Sequence, residues 1–470
     1  MIREYLADEG FRLDGVEAAL DGLLRLGPVR THTRELTFYD TFDALLREAG
    51  MTVAVSDPDE IPAAARELAG VRALLPLARV SVTTQTAALL DELDKTVVRL
   101  ELLTPRGLAP RIRLEGLRGY EDELARVEAA LGLEAPAPEC LRDEAVRAAG
   151  GHPRGVSAKV TVALAPETRA DAAIVAVLGA LWTVVEANWE GTVDDLDAEF
   201  LHDLRVCVRK TRAVLKEFPG VLPPALRALW RAELKWLQLI TGDTRDLDVM
   251  LEDFTALAGL LDGGALEALE PLRRVLIQRR ATARRLMVRD LRGERAQTLR
   301  TGWPELLGAL ERLPGDDRPD ASGTIGALAG ERILTVHRRM VKMGRALEPD
   351  SPAEDYHELR KQGKELRYLL ELFGMPLHDA TVVKPMVKAL KELQDVLGRH
   401  QDREVQALTL RRLSGAVAAV PDGPDALLAM GALVQALGAD ERAARREFGD
   451  VFRAFASAEQ RALARRTFRS

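Results

Sequence analysis

Two stretches of this chain read as copies of one helix: LHDLRVCVRKTRAVLKEF at residues 201–218 and YHELRKQGKELRYLLELF at residues 356–373. At an offset of 155 residues, His202 falls on His357, Arg205 on Arg360, Arg209 on Lys364 and Arg212 on Arg367. Leu204, Leu215 and Phe218 fall on Leu359, Leu370 and Phe373. A second match follows at an offset of 156. LKWLQLITGDTRDLDV (234–249) falls on LKELQDVLGRHQDREV (390–405), pairing Lys235 with Lys391, Gln238 with Gln394, Gly242 with Gly398 and Asp246 with Asp402. This is an internal duplication of a long helical unit, and such repeats decide the architecture of a chain.

Each residue of an α-helix turns by about 100°, so positions i, i+3, i+7 and i+10 lie within roughly 80° of one another. His202, Arg205, Arg209 and Arg212 therefore form one basic face, opposite Leu204, Val208 and Leu215. His357, Arg360, Lys364 and Arg367 repeat it. A single amphipathic helix shows such a face to solvent with no further role. Two copies with the same His and three cations suggest more, because packing does not demand a His at the head of a charged stripe. A solvated face and an anion site both stand at this point.

The motifs H-x-L-R-x-x-x-[RK]-x-x-R and L-Q-x-x-[TL]-G-x-x-x-D, each met twice and in order, resemble the CHAD domain, a helical domain named for its histidines and built as two repeats of a four-helix bundle. The resemblance runs from about Asp171 to the C-terminus, with repeat one near 171–315 and repeat two near 322–468. It implies an all-α region of two pseudo-symmetric bundles that bind inorganic polyphosphate in a basic cleft between them. The residues it points to are His202, Arg205, Arg209, Arg212 and Lys235 from the first repeat and His357, Arg360, Lys364, Arg367 and Lys391 from the second. His202 and His357 are expected to face the shared cleft.

The rest of the sequence bounds this expectation. A length of 470 residues suits two or three domains. Hydrophobic residues make up 47% and charged residues 30%, the profile of a soluble globular protein. Net charge is −7, so an anion site must be a local concentration of cations. Cys140 and Cys207 are the only cysteines, which argues against a disulfide framework or a zinc site. The start, MIREYLADEGFRL, lacks a positive n-region followed by an apolar run. No stretch of about 18 uncharged apolar residues occurs, so no membrane span is expected. The expected compartment is a reducing cytoplasm, with no cofactor or metal; oligomeric state stays open.

Residues 1–155 differ in texture. ELTFYDT, MTVAVSD, RVSVTTQ, TVVRLELL and RIRLEG alternate and are rich in β-branched residues, as strands are. Helical patches lie between them at Val16–Leu26, Phe42–Ala49 and Asp122–Leu131. The expected fold is α+β with a mostly antiparallel sheet, a partial barrel. A Pro- and Gly-rich loop runs from Ala135 to about Gly155, and 156–170 is a linker or a last strand, SAKVTVALAPET. Phe38-Tyr39-Asp40-Thr41, Gly50 and LRGYEDE from Leu117 resemble a degenerate CYTH domain, the triphosphate tunnel fold. That family's E-x-E-x-K strand is reduced here to Ile2-Arg3-Glu4-Tyr5-Leu6, and its L-R-x-R to Thr52-Val53-Ala54-Val55. Arg99, Glu101, Arg111, Arg113 and Glu115 alternate on strands and would line a remnant tunnel. Metal-assisted triphosphate hydrolysis needs clustered carboxylates with cations beside them.

From Asp171 onward the pattern is helical, with helices expected near 171–189, 195–218, 223–242, 245–262, 265–298, 303–312, 322–347, 353–373, 380–398, 401–413, 424–437 and 439–467. Breaks are expected at PGVLPP, DGG, PGDDRPDASG and PDGPD. Ser351-Pro352-Ala353-Glu354 reads as a capping box with Pro at N1, and Thr192 with Asp195 as a cap for the first signature helix. Arg273, Arg274, Arg279, Arg280, Arg284, Arg285, Arg289, Arg292 and Arg295 share one expected helix but cover more than one face. His337, Arg338, Arg339, Lys342 and Arg345 form another basic patch.

Arginine forks onto two phosphate oxygens, lysine supplies a mobile point charge, and a row of cations binds a polyanion by counterion release. No nucleophile motif or P-loop accompanies the stripes. Three readings follow. The first is non-catalytic polyphosphate binding. The second is a CYTH-type triphosphatase fed by the helical region. The third is a helical scaffold or nucleic-acid binder. Aromatic residues are 4% of the chain and the stripes carry none on their basic face, which disfavours base stacking and hence nucleic acid.

Overall fold

The computed structural model describes residues 2–469 except 9, 21, 262–264, 311, 314 and 315. The chain forms two compact units, Met1–Ser157 and Ala158–Ser470. The expected breaks at 262–264 and at 314–315 lie outside the described residues.

The first unit is an antiparallel sheet curled into a half-barrel. Its strands are β1 (Ile2–Leu6), β2 (Arg25–Leu26), β3 (Arg30–Asp40), β4 (Val53–Val55), β5 (Leu75–Leu90), β6 (Thr96–Pro105) and β7 (Arg111–Gly116), in the order β1-β7-β6-β5-β3-β4 with β2 on β5. Alternation along each strand sends apolar residues to two sides. Tyr5, Leu89, Leu100, Ile112 and Leu114 pack beneath helix α1 (Glu121–Ala130) through Leu124 and Val127. Phe38, Val80, Val82 and Leu103 pack beneath helix α2 (Leu141–Ala148). Asp40 is fully buried and works structurally. Its carboxylate accepts from the backbone N–H of Thr41, Leu46 and Arg47 and pairs with Arg142 at 2.7 Å.

The charged side chains of β6 and β7 neutralise one another. Arg113 stands opposite Glu4 and Glu101 in the register and reaches them at 3.0 and 3.4 Å. Arg99 pairs with Glu115 at 2.8 Å, and the buried Arg111 holds Glu4 at 2.6 Å and also Glu144. The expected helix at Val16–Leu26 is helical only over Val16–Ala19, and Arg25–Leu26 is strand. Residues 157–168 form no strand, which corrects the last-strand reading.

The second unit is helical. Its longer helices are α3 (Ala170–Ala187), α4 (Ala198–Glu217), α5 (Pro224–Ile240), α6 (Gly242–Glu252), α7 (Glu270–Leu291), α8 (Glu294–Leu310), α9 (Ile325–Arg345), α10 (Ala353–Leu369), α11 (Ala380–Ala418), α12 (Gly423–Phe455) and α13 (Ala458–Phe468). The stretch Ala170–Asp194 is long and apolar enough to cross a membrane by composition. Within the protein it is a core helix, with Ile174, Val177, Leu178 and Leu181 fully buried.

Several boundaries differ from the sequence expectation, each for a physical reason. Gly398 does not divide 380–413, because one mid-helix glycine costs only about 1 kcal/mol; α11 runs on and buries Leu410, Leu413 and Val417 against α7 and α12. Gly438 likewise leaves α12 intact; the break comes at Ser457, which caps α13. The expected helix 265–298 stops at Leu291, before Gly293, and α8 begins at Glu294 rather than near 303. The cap of α4 is Asp197, accepting from the N–H of Glu199 and Phe200; Thr192 bonds back to Asn188 O, and Asp195 pairs with Arg280. The capping box at 351–354 does not form. Pro352 is the N-cap, and Ser351 Oγ accepts from Glu348 N.

Candidate anion-binding groove

Helices α4 and α10, which carry the duplicated stretches, pack against each other. Phe218 and Phe373 meet with ring centroids 4.9 Å apart. Lys210 Nζ lies 3.1 Å from Glu371 Oε2, and Lys216 Nζ lies 2.6 Å from Glu365 Oε1. The sequence offset of 155 maps Phe218 onto Phe373, Lys210 onto Glu365 and Lys216 onto Glu371. Each contact is therefore returned by its counterparts.

The contact between the two helices leaves basic residues of both on a common cavity of about 340 Å³. Arg209, Arg212, Lys216, Arg231, His357, Arg360, Lys361 and Lys364 line it with Tyr368, and Glu365 is the one acid in the lining. Arg360 and Lys364 also border a second cavity of about 420 Å³, with Arg367, Arg399, Arg403 and Gln394 and the acids Asp253, Asp395 and Asp402. Burial and the repulsion of Arg360 and Arg209 push the Lys364 ammonium down to about 7. Burial and Arg209 lower Arg205 to about 10, and burial with Arg231 lowers Arg212. In all three the largest cause is burial of the cation, and neighbouring cations add to it.

Local geometry fixes the arginines. Arg205 Nη1 donates to Gln238 O and Thr241 Oγ1, both at 2.7 Å, while Gln238 Nε2 donates back to Arg205 O at 3.1 Å. Arg360 Nη2 donates to Asp402 at 3.1 Å. A Cβ on Gly242 would lie 3.9 Å from the Arg205 guanidinium, and one on Gly398 would lie 3.7 Å from that of Arg360. The paired glycines thus let each arginine lie across the neighbouring helix. His357 Nδ1 contacts Gln401 Oε1. Tyr368 borders the cavity, with Arg367 5.7 Å and Lys210 5.9 Å from its ring centre. One aromatic ring therefore does stand at the groove, although it is nearly buried.

Of the ten residues the sequence pointed to, Arg209, Arg212, His357, Arg360 and Lys364 meet in the first cavity, and Arg367 joins the second. Arg205 stands behind Arg209. Lys235 and Lys391 are exposed outside either lining. His202 is also outside it, gathered with Glu199 and Asp203, whose ligating atoms all lie within 4.8 Å of one another; this is the one cluster of metal-ligating type among the described residues. Arg245 lies 3.7 Å from Glu199 there.

Lys216, Arg231, Lys361, Arg399 and Arg403 went unpredicted. Lys216 was legible, since it continues the stripe four residues beyond Arg212. Arg231 lies one turn before the chosen Lys235. The arginines of α7 are mostly engaged elsewhere: Arg280 with Asp195 and Asp248, and Arg284 with Asp195.

The arrangement can hold a linear anion along two facing rows of donors. No curated protein matches the chain. The crystal structure of the CHAD domain from the plant Ricinus communis is 25% identical, with a TM-score of 0.53 over 63% of this chain and 94% of that one. PptA from Streptomyces chartreusis is 19% identical, with a TM-score of 0.47 over 61% of this chain and 100% of that one. The family model of the CHAD domain matches residues 176–411, half of the chain. With the twin stripes on facing helices, this makes the chain a member of the CHAD domain family.

Proposed function

We propose that the helical unit binds inorganic polyphosphate without transforming it, in the groove between α4 and α10. The observation that carries this reading is the lining of the first cavity, where seven lysines and arginines from three helices face a single glutamate. A cluster of that sign in a chain of net charge −7 concentrates positive potential at one place. The returned contacts of Phe218, Lys210 and Lys216 support two repeats related by an approximate two-fold axis, as in an isologous interface. The axis then passes near Arg209 and Lys364, which would grip successive units of one chain. The ion pairs among Glu4, Arg99, Glu101, Arg113 and Glu115 favour a non-catalytic first unit, since carboxylates tied to arginines are poor metal ligands.

The test is a salt series with long-chain polyphosphate against DNA and RNA of equal charge. Each lost phosphate contact makes the slope of log K against log salt shallower by about 0.7. Arg209→Gln with Lys364→Gln, measured near pH 6 where Lys364 keeps its proton, is expected to weaken binding and flatten the slope by about 1.4. Arg279→Gln with Arg285→Gln, exposed on α7, is expected to change neither. Equal losses in the two double variants, or tighter binding of nucleic acid, would refute the reading. Tripolyphosphate hydrolysis with magnesium or manganese is expected to be absent.

A further inference from the structure

The offset of 155 residues extends upstream of the twin stripes, and at one place there the two stretches part. Leu181 and Val185 on α3 fall on Val336 and Met340 on α9, and all four are fully buried. Trp182 meets Trp303 of α8 at 6.1 Å, and its counterpart His337 meets Phe455 of α12 at 5.5 Å. Trp303 and Phe455 stand 152 residues apart, and the same spacing sets Arg300 against Phe452. Trp189 then falls on Gly344. Trp189 is fully buried, with Arg300 5.0 Å from its ring centre, and Glu186 and Glu190 hold that arginine. Gly344 offers no side chain, and a Cβ on it would overlap the Phe452 ring. The charges change as well, since Val341 stands for Glu186 and Arg345 for Glu190.

A cavity of about 540 Å³ opens beside Gly344, of the size that small-molecule sites have. Leu347, Gly449 and the stacked rings of Phe448 and Phe452, 5.4 Å apart, give it apolar walls. Four arginines border it. Glu441 holds Arg445 and Asp450 holds Arg453. Arg345 and Arg446 are exposed and make no hydrogen bond or ion pair among the described residues. Glu348 is the one acid in the lining, so these two arginines leave a balance of one positive charge. We propose that this cavity binds a small aromatic carboxylate, its rings against Leu347, Phe448 and Phe452 and its carboxylate on Arg345 and Arg446. Guanidinium forks match a carboxylate, and aromatic rings pack edge-to-face or offset on one another. A single uncompensated charge suits a monoanion rather than a polyanion. The site is separate from the groove and does not depend on the polyphosphate reading.

The experiment is a calorimetric titration of the full chain with naphthoate. Naphthylmethanol, which keeps the rings without the charge, and inorganic phosphate, which keeps charge without rings, are titrated beside it. Naphthoate is expected to bind more tightly than either, by about tenfold over the alcohol, as a hydrogen bond between charged groups contributes. Arg345→Gln with Arg446→Gln should remove that advantage and leave the alcohol as it was. Gly449 lines the cavity, and a Cβ on it meets nothing within 4 Å. Gly449→Leu should therefore fill the space and abolish naphthoate binding, with a melting temperature unchanged or higher because a glycine inside a helix is replaced. The arginine variant, altered only at exposed side chains, decides the matter if Gly449→Leu folds poorly. No binding of naphthoate by the wild type, equal affinity for naphthoate and the alcohol, or wild-type affinity in the double arginine variant or in folded Gly449→Leu would overturn the site.

Discussion

At the scale of single residues, Lys364 is where charge and burial meet most sharply. Its folded value of about 7 lies well below that of a free lysine, about 10.4. Between those values the unfolded chain carries a proton that the folded protein lacks, so this group makes stability rise with pH across that window and adds nothing to the slope below pH 7. Melting curves of the wild type and Lys364→Met, compared from pH 6 to 10, should converge as pH rises. Binding reverses the preference, because an anion beside Nζ favours the ammonium. Polyphosphate affinity is then expected to fall as pH climbs above about 7, by at most tenfold per unit, with proton uptake seen by calorimetry in buffers of different ionisation enthalpy. Lys364→Arg, charged throughout, should abolish that uptake. Arg360 and Arg367 on the same helix, Arg209 on α4 and Asp402 on α11 are the neighbours that set the shift.

At the scale of elements, helix ends depend on which side chain reaches the free N–H groups. Asp197 does so for α4, and Asp197→Ala is expected to cost about 1 kcal/mol in denaturant unfolding. Ser351→Ala should cost less, because Ser351 bonds Glu348 outside α10. The motif S-P-A-E was visible in the sequence, but the backbone path that carries Ser351 away from the helix was not. Gly398 makes a second case. Alanine there would stand at ordinary contact with the Arg360 guanidinium, whereas a branched side chain would displace it. Gly398→Val should therefore weaken polyphosphate binding more than Gly398→Ala, read by the same titration at fixed salt.

At the scale of the whole helical unit, the two matching helical stretches are clamped where Phe218 meets Phe373, both fully buried. Either Phe→Ala change is expected to cost about 3–5 kcal/mol. Because the rings touch, the double variant should lose about 1 kcal/mol less than the sum of the singles. Additive losses would show that the contact carries no coupling. Lys210 is buried and held by Ala158 O and Glu371, so Lys210→Met should destabilise more than Lys216→Met, whose ammonium is partly exposed.

The two matching stretches, the amphipathic period and the twin stripes were written in the chain, because a 3.6-residue repeat declares which side chains share a face. From those came the helical second unit and six cations and a histidine that stand at or beside the groove, while the two-residue alternation of residues 1–155 gave the antiparallel first unit. Which cations converge was decided by tertiary packing. Periodicity names a face but not what that face meets, so Arg231 and Arg403, brought in by neighbouring helices, gave no local signal, and His202 left the groove for Glu199 and Asp203. The balancing acids tell the same story: Asp195 and Asp248 claim Arg280, and Glu4 claims Arg111 and Arg113, across separations of 32 to 109 residues. Charge pairing acts through space, and a linear sequence records which charges exist while only the fold determines which of them remain uncompensated.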